Sequence, residues 1–173
     1  MKLYFVRHGQ TESNKRGTTT GHVDSLLTEE GCEQARKTAL EIPTDFLEIY
    51  SSDLTRCKDT ASILNEKLGV PIFFDTRLRE RHFGSLEGKT WIEIGDDVRA
   101  RDVSQRYDYR PYGGESVEDV QKRLLSFIDD MKTNEEKKIL VVTSAGIIRL
   151  LHHMINKETH ERIHNSSLHE FDV

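Results

Sequence analysis

The chain alternates between short apolar runs and segments in which apolar residues recur every three or four positions. Residues 2–7 and 138–143 are apolar runs that stop at polar residues, a pattern typical of strands covered on both faces. Shorter runs predict further strands at residues 45–51, 70–74 and 167–173. The predicted strands are therefore spread along the whole chain.

The first two predicted helices begin at recognisable capping residues. Thr28 precedes a helix at residues 29–41, whose first two residues are glutamates and favour the positive end of the helix dipole. Ser52 or Asp53 is predicted to cap the next helix, which extends to about Leu68. Its apolar residues are spaced by three and four, so they form one buried stripe.

Two more helices are predicted in the second half of the chain. Ser116 and Asp119 have the spacing of a capping box, which places a helix directly after Ser116. A final helix is predicted at residues 146–156, immediately after the apolar run. Residues 84–113 are irregular and charged, and we predict that they form loops, with one helix, that cover a site.

The alternation of strands and helices predicts an α/β fold. We expect a three-layer α/β/α sandwich with a mostly parallel central sheet and helices on both faces, formed by residues 1–173 as one domain. Ligands of such folds bind beyond the carboxyl ends of the strands. Those ends are predicted at residues 7–9, 51–56 and 143–146.

Composition limits the possible partners. The chain has 173 residues, a net charge of −5 and a mean hydropathy of −0.62, so generic binding to nucleic acid or to an anionic membrane is not expected. Two cysteines and no apolar leader fit a reducing, cytoplasmic location. Any positive charge that holds an anion must be local, and no pattern indicates the oligomeric state.

Arg7, His8 and Gly9 follow the first predicted strand. A histidine at that point can be neutral near pH 7, and its free nitrogen can act as a nucleophile. Arginine offers a planar fork of donors suited to phosphate, and glycine lets the backbone approach a ligand closely. An exposed histidine beside an arginine would be the simpler interpretation of these residues alone.

The longer pattern changes that interpretation. Residues 3–14 read LYFVRHGQTESN, which resembles the signature of the histidine phosphatase superfamily, also called the phosphoglycerate-mutase-like family. Further matches follow in the same order along almost the whole chain. They lie at Thr20–Gly31, Ser51–Ala61, Leu78–Gly88, Gly113–Ser116 with Arg123, Val141–Arg149 and Asn165–Ser167.

The resemblance implies a role for each matching residue. His8 would accept the phosphoryl group, Arg7 and Arg56 would hold its oxygens, and Asn14 would donate a further hydrogen bond. Glu80 would protonate the leaving oxygen and then help water to attack the phosphohistidine. A proton donor at neutral pH needs a raised pKa, which we expect nearby apolar side chains to provide.

The same resemblance places a second group of residues against the substrate. These are Thr20, Gly21, Arg81, Ser144 and Ala145. Arg81 and its neighbour His82 are among the residues expected to select the substrate.

One position departs from the family pattern. The family has a second histidine where this chain has Ser144, and serine cannot carry its charge. Loss of one such donor costs about 10²–10³ in rate. A substitution that traps a ligand, a natural variant with a rearranged pocket and a degenerate phosphate binder all remain open. His82 is a candidate to compensate.

The predicted function is hydrolysis of a small phosphorylated metabolite through a phosphohistidine, impaired to an extent set by Ser144. A phosphoglycerate-type phosphomutase is the alternative within enzymes, and a non-catalytic phospho-ligand-binding domain is the alternative outside them. The segment between Gly88 and Gly113 is short, which favours a phosphatase over a mutase that closes a long lid over its substrate.

No metal or other cofactor is implied, since arginine and histidine would supply the charge. Residues 160–164 nevertheless read H-E-x-x-H, the zinc pattern of metalloproteases. We disfavour that interpretation because His169 lies one residue short of the register for a third ligand, and Ser167 stands where glycine is required. A polar helical turn before the last strand is the expected structure there.

Overall fold

A computed structural model describes residues 1–133 and 137–173. In this part of the chain, five strands form one sheet in the order β3-β2-β4-β1-β5. The strands are β1 (Lys2–Arg7), β2 (Glu48–Ser51), β3 (Ile72–Phe74), β4 (Ile139–Thr143) and β5 (Leu168–Asp172).

The sheet register brings the predicted ligand-binding ends together. β1 pairs in parallel with β4, so Arg7 lies opposite Thr143. β2 pairs in parallel with the other side of β4, with Ser51 opposite Val142. Of the five strands in the described residues, only β5 is antiparallel, and it pairs along the free edge of β1. The carboxyl ends of β1, β4 and β2 therefore meet at one edge, as the mostly parallel sheet predicted.

The helices cover both faces of this sheet. They are α1 (Glu12–Arg16), α2 (Glu29–Glu41), α3 (Thr55–Leu68), α4 (Trp91–Ile94), α5 (Asp96–Val103), α6 (Val117–Lys132) and α7 (Ala145–Leu151). Leu3 and Val141 pack with α6 and α7 in one apolar core. Val6 and Val142 pack with α2 and α3 in a second core on the opposite face. Because neighbouring strand residues face opposite sides, this arrangement confirms the three-layer α/β/α sandwich.

Two predicted helix starts are confirmed and one is wrong. Thr28 accepts the N–H of Gly31 at the start of α2, and Ser116 forms a reciprocal capping box at the start of α6. The start of α3 differs, because Leu54 is its N-cap and no side chain caps it. Ser52 instead accepts the N–H of Leu54 within the preceding turn, so it is used before the helix begins.

Several boundaries differ from the predictions. β2 begins at Glu48 and β3 at Ile72, so both strands are shorter than the apolar runs suggested. The last helix ends at Leu151 and continues as a π-helical turn, His152–Asn156. Residues 160–164 are not helical, so the predicted helical turn was wrong. Among the described residues, no helix is both long and apolar enough to cross a lipid bilayer.

Candidate active site

An open cavity, about 470 Å³ including the solvent at its mouth, lies at the carboxyl ends of β1 and β4. Its walls bring together residues that are far apart in the sequence. They are Arg7, His8, Asn14, Thr18, Thr19, Thr20, Gly21, Arg56, Glu80, Arg81, Phe83, Trp91, Ala145 and Arg149. Four guanidinium groups in one cavity supply the local positive charge that an acidic chain needs in order to bind an anion.

His8 is fixed directly after β1. Its backbone N–H donates to the Thr143 carbonyl at 3.0 Å, so the strand pairing extends to this residue. Its Nδ1 lies 2.7 Å from the Gly9 carbonyl oxygen, which requires the proton on Nδ1 and leaves the Nε2 lone pair free. Burial lowers the pKa of His8 well below its usual value, and Arg56 and Arg7 lower it further. The ring is therefore neutral near pH 7, as a nucleophile must be.

Gly9 permits the close packing that holds this histidine. A Cβ at Gly9 would lie 2.3 Å from the Gly31 carbonyl oxygen, so no larger residue fits between β1 and α2. The Gly9 N–H donates to Thr60 Oγ1 of α3 at 3.1 Å. The turn after β1 is thus fixed by helices from the second core.

Arg7 and Arg56 line the cavity, and not all of their N–H donors are used within the protein. One guanidinium N–H of Arg7 donates to the Ile163 carbonyl. Arg56 donates to the carbonyls of Gly21 at 2.6 Å and Val23 at 3.0 Å. Within the described part of the chain, the Nε atoms of both arginines are buried without a hydrogen-bond partner, and so are Arg81 Nε and Nη1 and Arg149 Nε. Buried N–H groups are normally paired, so these unpaired donors indicate a site prepared for an anion.

Glu80 is held on the opposite side by backbone amides. Its carboxylate accepts the N–H of Gly146 at 3.0 Å and its neighbour Arg81's N–H at 2.9 Å. A Cβ at Gly146 would lie 2.1 Å from this carboxylate, so only glycine permits the contact.

The pKa of Glu80 contradicts the expectation from sequence. Burial raises its pKa, but the Arg81 guanidinium and the two amide hydrogen bonds outweigh that effect, and the net pKa lies below the usual value. Phe83 and Trp91 do line the cavity, yet their apolar cover is not enough. With only its protein neighbours considered, Glu80 is therefore a carboxylate.

Asn14 is oriented as a donor. Its side-chain oxygen accepts the N–H of Thr11 at 3.2 Å and the amide of Asn165 at 3.1 Å, which leaves its own NH₂ group to face the cavity. Thr20, Gly21 and Ala145 also line the cavity.

Ser144 is not among the residues that line the cavity. It is 1% exposed, and its hydroxyl makes no hydrogen bond of standard geometry to any described residue, although the Cys57 thiol is its polar neighbour. Burial raises the pKa of Cys57 to about 11, so this thiol is protonated. The residue that departs from the family pattern therefore packs against α3 instead of lining the cavity.

Arg149 was not assigned a role from sequence, although it lies in a matching segment. It lines the cavity from α7 and pairs with Asp102 at 3.1 Å, as Arg81 does at 2.9 Å. Only the i, i+4 spacing from Ala145 indicated that Arg149 faces the same side of α7 as Ala145.

His82 was suggested from the sequence as a compensating residue. It stacks on His22 with ring centroids 4.6 Å apart and does not line the cavity.

The comparisons with known proteins identify the family of this chain. The family model of the histidine phosphatase superfamily (branch 1) matches residues 3–173. The chain is 36% identical over 154 residues to the putative phosphoserine phosphatase 2 of Hydrogenobacter thermophilus, covering 87% of this chain and 76% of that protein.

Two further comparisons extend this agreement. The chain is 35% identical over 161 residues to the glucosyl-3-phosphoglycerate phosphatase of Mycolicibacterium vanbaalenii, covering 87% of this chain and 72% of that protein. The solved structure of Bacillus stearothermophilus YhfR superposes with a TM-score of 0.87 at 31% identity, covering 99% of this chain and 91% of that chain. Sequence, fold and cavity therefore agree that the chain belongs to the histidine phosphatase superfamily and is a histidine-type phosphatase, a hydrolase of phosphoric monoesters.

Proposed function

We propose that this protein hydrolyses a small phosphorylated metabolite through a phosphohistidine formed at Nε2 of His8. One observation carries the proposal: the free Nε2 lone pair of a neutral, buried imidazole shares a cavity with four guanidinium groups. Phosphoryl transfer depends mainly on positioning and charge stabilisation, and this cavity supplies both without a metal ion.

In the first step, His8 Nε2 attacks phosphorus in line with the leaving oxygen. The N–P bond forms as the P–O bond breaks, and Glu80 gives its proton to the leaving oxygen. Because Glu80 is ionised in the ligand-free site, we propose that it takes up this proton as the phosphate enters. A nearby anion raises the pKa of a carboxyl group, so substrate binding itself prepares the acid.

In the second step, water attacks the phosphohistidine. Glu80, now a carboxylate, takes a proton from the water as the O–P bond forms and the N–P bond breaks. Inorganic phosphate leaves, His8 returns to its neutral state, and Glu80 releases to solvent the proton that it took from water. Arg7, Arg56 and Asn14 hold the phosphoryl oxygens in both steps, since all three line the cavity beside His8.

Arg149 is proposed to supply the charge that the family's second histidine would supply. Its guanidinium lines the cavity, whereas Ser144 does not. The Ser144→His variant should therefore gain less than about tenfold in kcat/KM, although an uncompensated missing donor would correspond to about 10²–10³. A gain of that full size would show that position 144 is uncompensated and that the chain as given is impaired.

The decisive experiment is to detect the intermediate. The wild-type protein and a His8→Asn variant are incubated with a ³²P-labelled phosphomonoester and quenched in alkali, in which phosphohistidine survives. Label should appear on the wild type alone and be lost in acid. Substrates should include phosphoserine and glucosyl-3-phosphoglycerate, which the names of the two curated relatives suggest.

The same experiment separates the alternatives. A phosphatase releases inorganic phosphate to water, whereas a phosphomutase returns the label to an isomer of the substrate. A non-catalytic domain would bind phosphate or vanadate without acquiring label on His8. Absence of label together with absence of turnover would overturn the proposal.

A further inference from the structure

A second cluster of ionisable side chains lies away from the cavity, where α7 ends. It consists of His152, Glu158 and His160, and none of them lines the cavity. His160 Nε2 lies 3.0 Å from Glu158 Oε2, and His152 Nδ1 lies 3.5 Å from the same oxygen. One ligand atom from each residue lies within 4.8 Å of the other two.

A chain of hydrogen bonds fixes which nitrogen of His152 is free. The Ser167 hydroxyl donates to the His164 carbonyl at 2.7 Å, so at 2.8 Å it must accept the proton of His169 Nε2. His169 Nδ1 is then an acceptor, and His152 Nε2 donates to it at 3.0 Å.

His152 Nδ1 is consequently left with a lone pair that faces Glu158. Asn156 supplies its NH₂ group to this lone pair at 3.1 Å, a contact that a metal ion can replace. A ligating histidine usually donates its other ring N–H to an outer partner, which fixes its tautomer and orientation. His169 is already in that position.

The distances suit a small transition-metal ion. Zinc binds histidine nitrogen and carboxylate oxygen at about 2.0–2.2 Å in a tetrahedron, which places neighbouring ligand atoms about 3.3–3.5 Å apart. Two ligand pairs of this cluster lie 3.0 and 3.5 Å apart. Two imidazoles and one carboxylate favour zinc over calcium or magnesium, which prefer all-oxygen sites. Glu158 is exposed and His160 half-buried, so an ion and a fourth, water ligand can enter.

We propose that His152 Nδ1, Glu158 and His160 Nε2 bind a zinc-class divalent cation at a site separate from the phosphatase cavity. The sequence motif H-E-x-x-H contains only one of these ligands, His160. Because residues 160–164 are not helical, His164 does not share a helix face with His160, and the binding set comes from the fold instead.

The position of this site gives the ion a structural role. Residues 157–166 follow α7 and return to β1, where the Ile163 carbonyl accepts from Arg7 and the Asn165 amide donates to the His8 carbonyl at 3.1 Å. A cation held by His152 would tie the start of this segment to the end of α7. We therefore expect the bound cation to stabilise residues 157–166, which hold Arg7 and His8 in place, without taking part in the phosphoryl transfer.

The test is a zinc titration by calorimetry on untagged, EDTA-treated protein, with cobalt absorbance as a second readout. The wild type should bind one zinc ion per chain, and Co²⁺ should give the intense visible bands of tetrahedral coordination. The Glu158→Gln and His160→Gln variants should lose this binding. His164→Gln is the matched control and should bind zinc as the wild type does, because His164 belongs only to the linear motif.

Three further outcomes decide the proposal. A His169→Gln variant should bind zinc about 10–100-fold more weakly, as expected when an outer partner is lost. Hydrogen exchange of residues 157–166 should slow when zinc is added, and phosphatase activity should survive EDTA. The proposal is overturned if the wild type shows no saturable zinc binding, or if His164→Gln weakens binding as much as His160→Gln does. Thermal unfolding without metal shows whether each variant is folded.

Discussion

Arg7 and Arg81 both line the phosphatase cavity, but their surroundings shift their pKa values in opposite directions. Among the described residues, no carboxylate is hydrogen-bonded to Arg7. Its pKa is lowered to about 10, because burial and the neighbouring arginines outweigh the opposing effect of Glu80. Burial also lowers the pKa of Arg81, but there Asp102 and Glu80 outweigh the effect and the net pKa is raised.

This difference separates an arginine proposed to bind the substrate anion, Arg7, from the arginines that Asp102 holds in position. An unneutralised buried guanidinium costs free energy that only an incoming anion recovers, so the Arg7 side is built for a ligand. Asp102 is 1% exposed and contacts Arg81, Arg149 and the hydroxyl of Tyr109, the last at 2.6 Å. Asp102 therefore offsets the charge of Arg81 and Arg149 and keeps both in fixed positions, although Arg81 Nε and Nη1 and Arg149 Nε have no hydrogen-bond partner among the described residues.

The largest expected effect comes from removing the unneutralised charge. Arg7→Met should lower kcat/KM for a phosphomonoester by about 10³-fold or more, the range in which a single arginine stabilises phosphoryl transfer. Its stability should not fall, because the substitution removes a buried charge. Arg79→Met, which breaks a partly exposed ion pair with Asp53, is the control. Equal losses in the two variants would contradict the comparison.

Glu80→Gln should have the next largest effect, with a loss of about 10²–10⁴ in kcat for substrates with alkoxide leaving groups. The loss should be much smaller for p-nitrophenyl phosphate, because its leaving group needs little protonation. A Brønsted plot over leaving-group pKa measures this difference. A loss that is the same for every leaving group would show that Glu80 acts only by holding the loop.

Asp102→Asn tests the supporting side. It leaves two buried arginines without their carboxylate, so the free energy of unfolding should fall by about 3–5 kcal/mol. Asp97→Asn, an exposed residue on the same helix, should cost less than about 1 kcal/mol. Urea unfolding measures both. If Asp102→Asn reduces activity with no loss of stability, the Asp102 group does not serve mainly to hold its arginines in position, and the comparison is contradicted.

The smallest expected effect is a pH dependence of stability. The folded-state pKa of His8 lies well below its unfolded value, so the unfolded chain binds more protons as the pH falls below about 6.5. The ligand-free protein should lose stability below that pH, by up to about 1.4 kcal/mol for each pH unit. The slope should be smaller in His8→Asn. Unfolding at pH 7 and pH 5.5, with phosphate excluded, measures it.

Much of the fold was predictable from local patterns. The apolar run of β4 and the capping box before α6 each mark their element with local chemistry, and the structure confirms both. The start of α3 was not predictable, because Ser52 could cap a helix or close a turn with equal ease. Strand ends in β2 and β3 were also misplaced, since pairing rather than hydrophobicity decides where a strand begins.

The sequence by itself determined the alternation of strands and helices, the position of His8 at a strand end and the order of the matching segments. These depend on periodicity and on residues that are close along the chain. Tertiary structure alone decided that Arg149 reaches the cavity, that Ser144 does not, that Glu80 has a lowered pKa and that His152 joins Glu158 and His160. Those properties depend on burial and on charges brought together from distant segments, which no local pattern records.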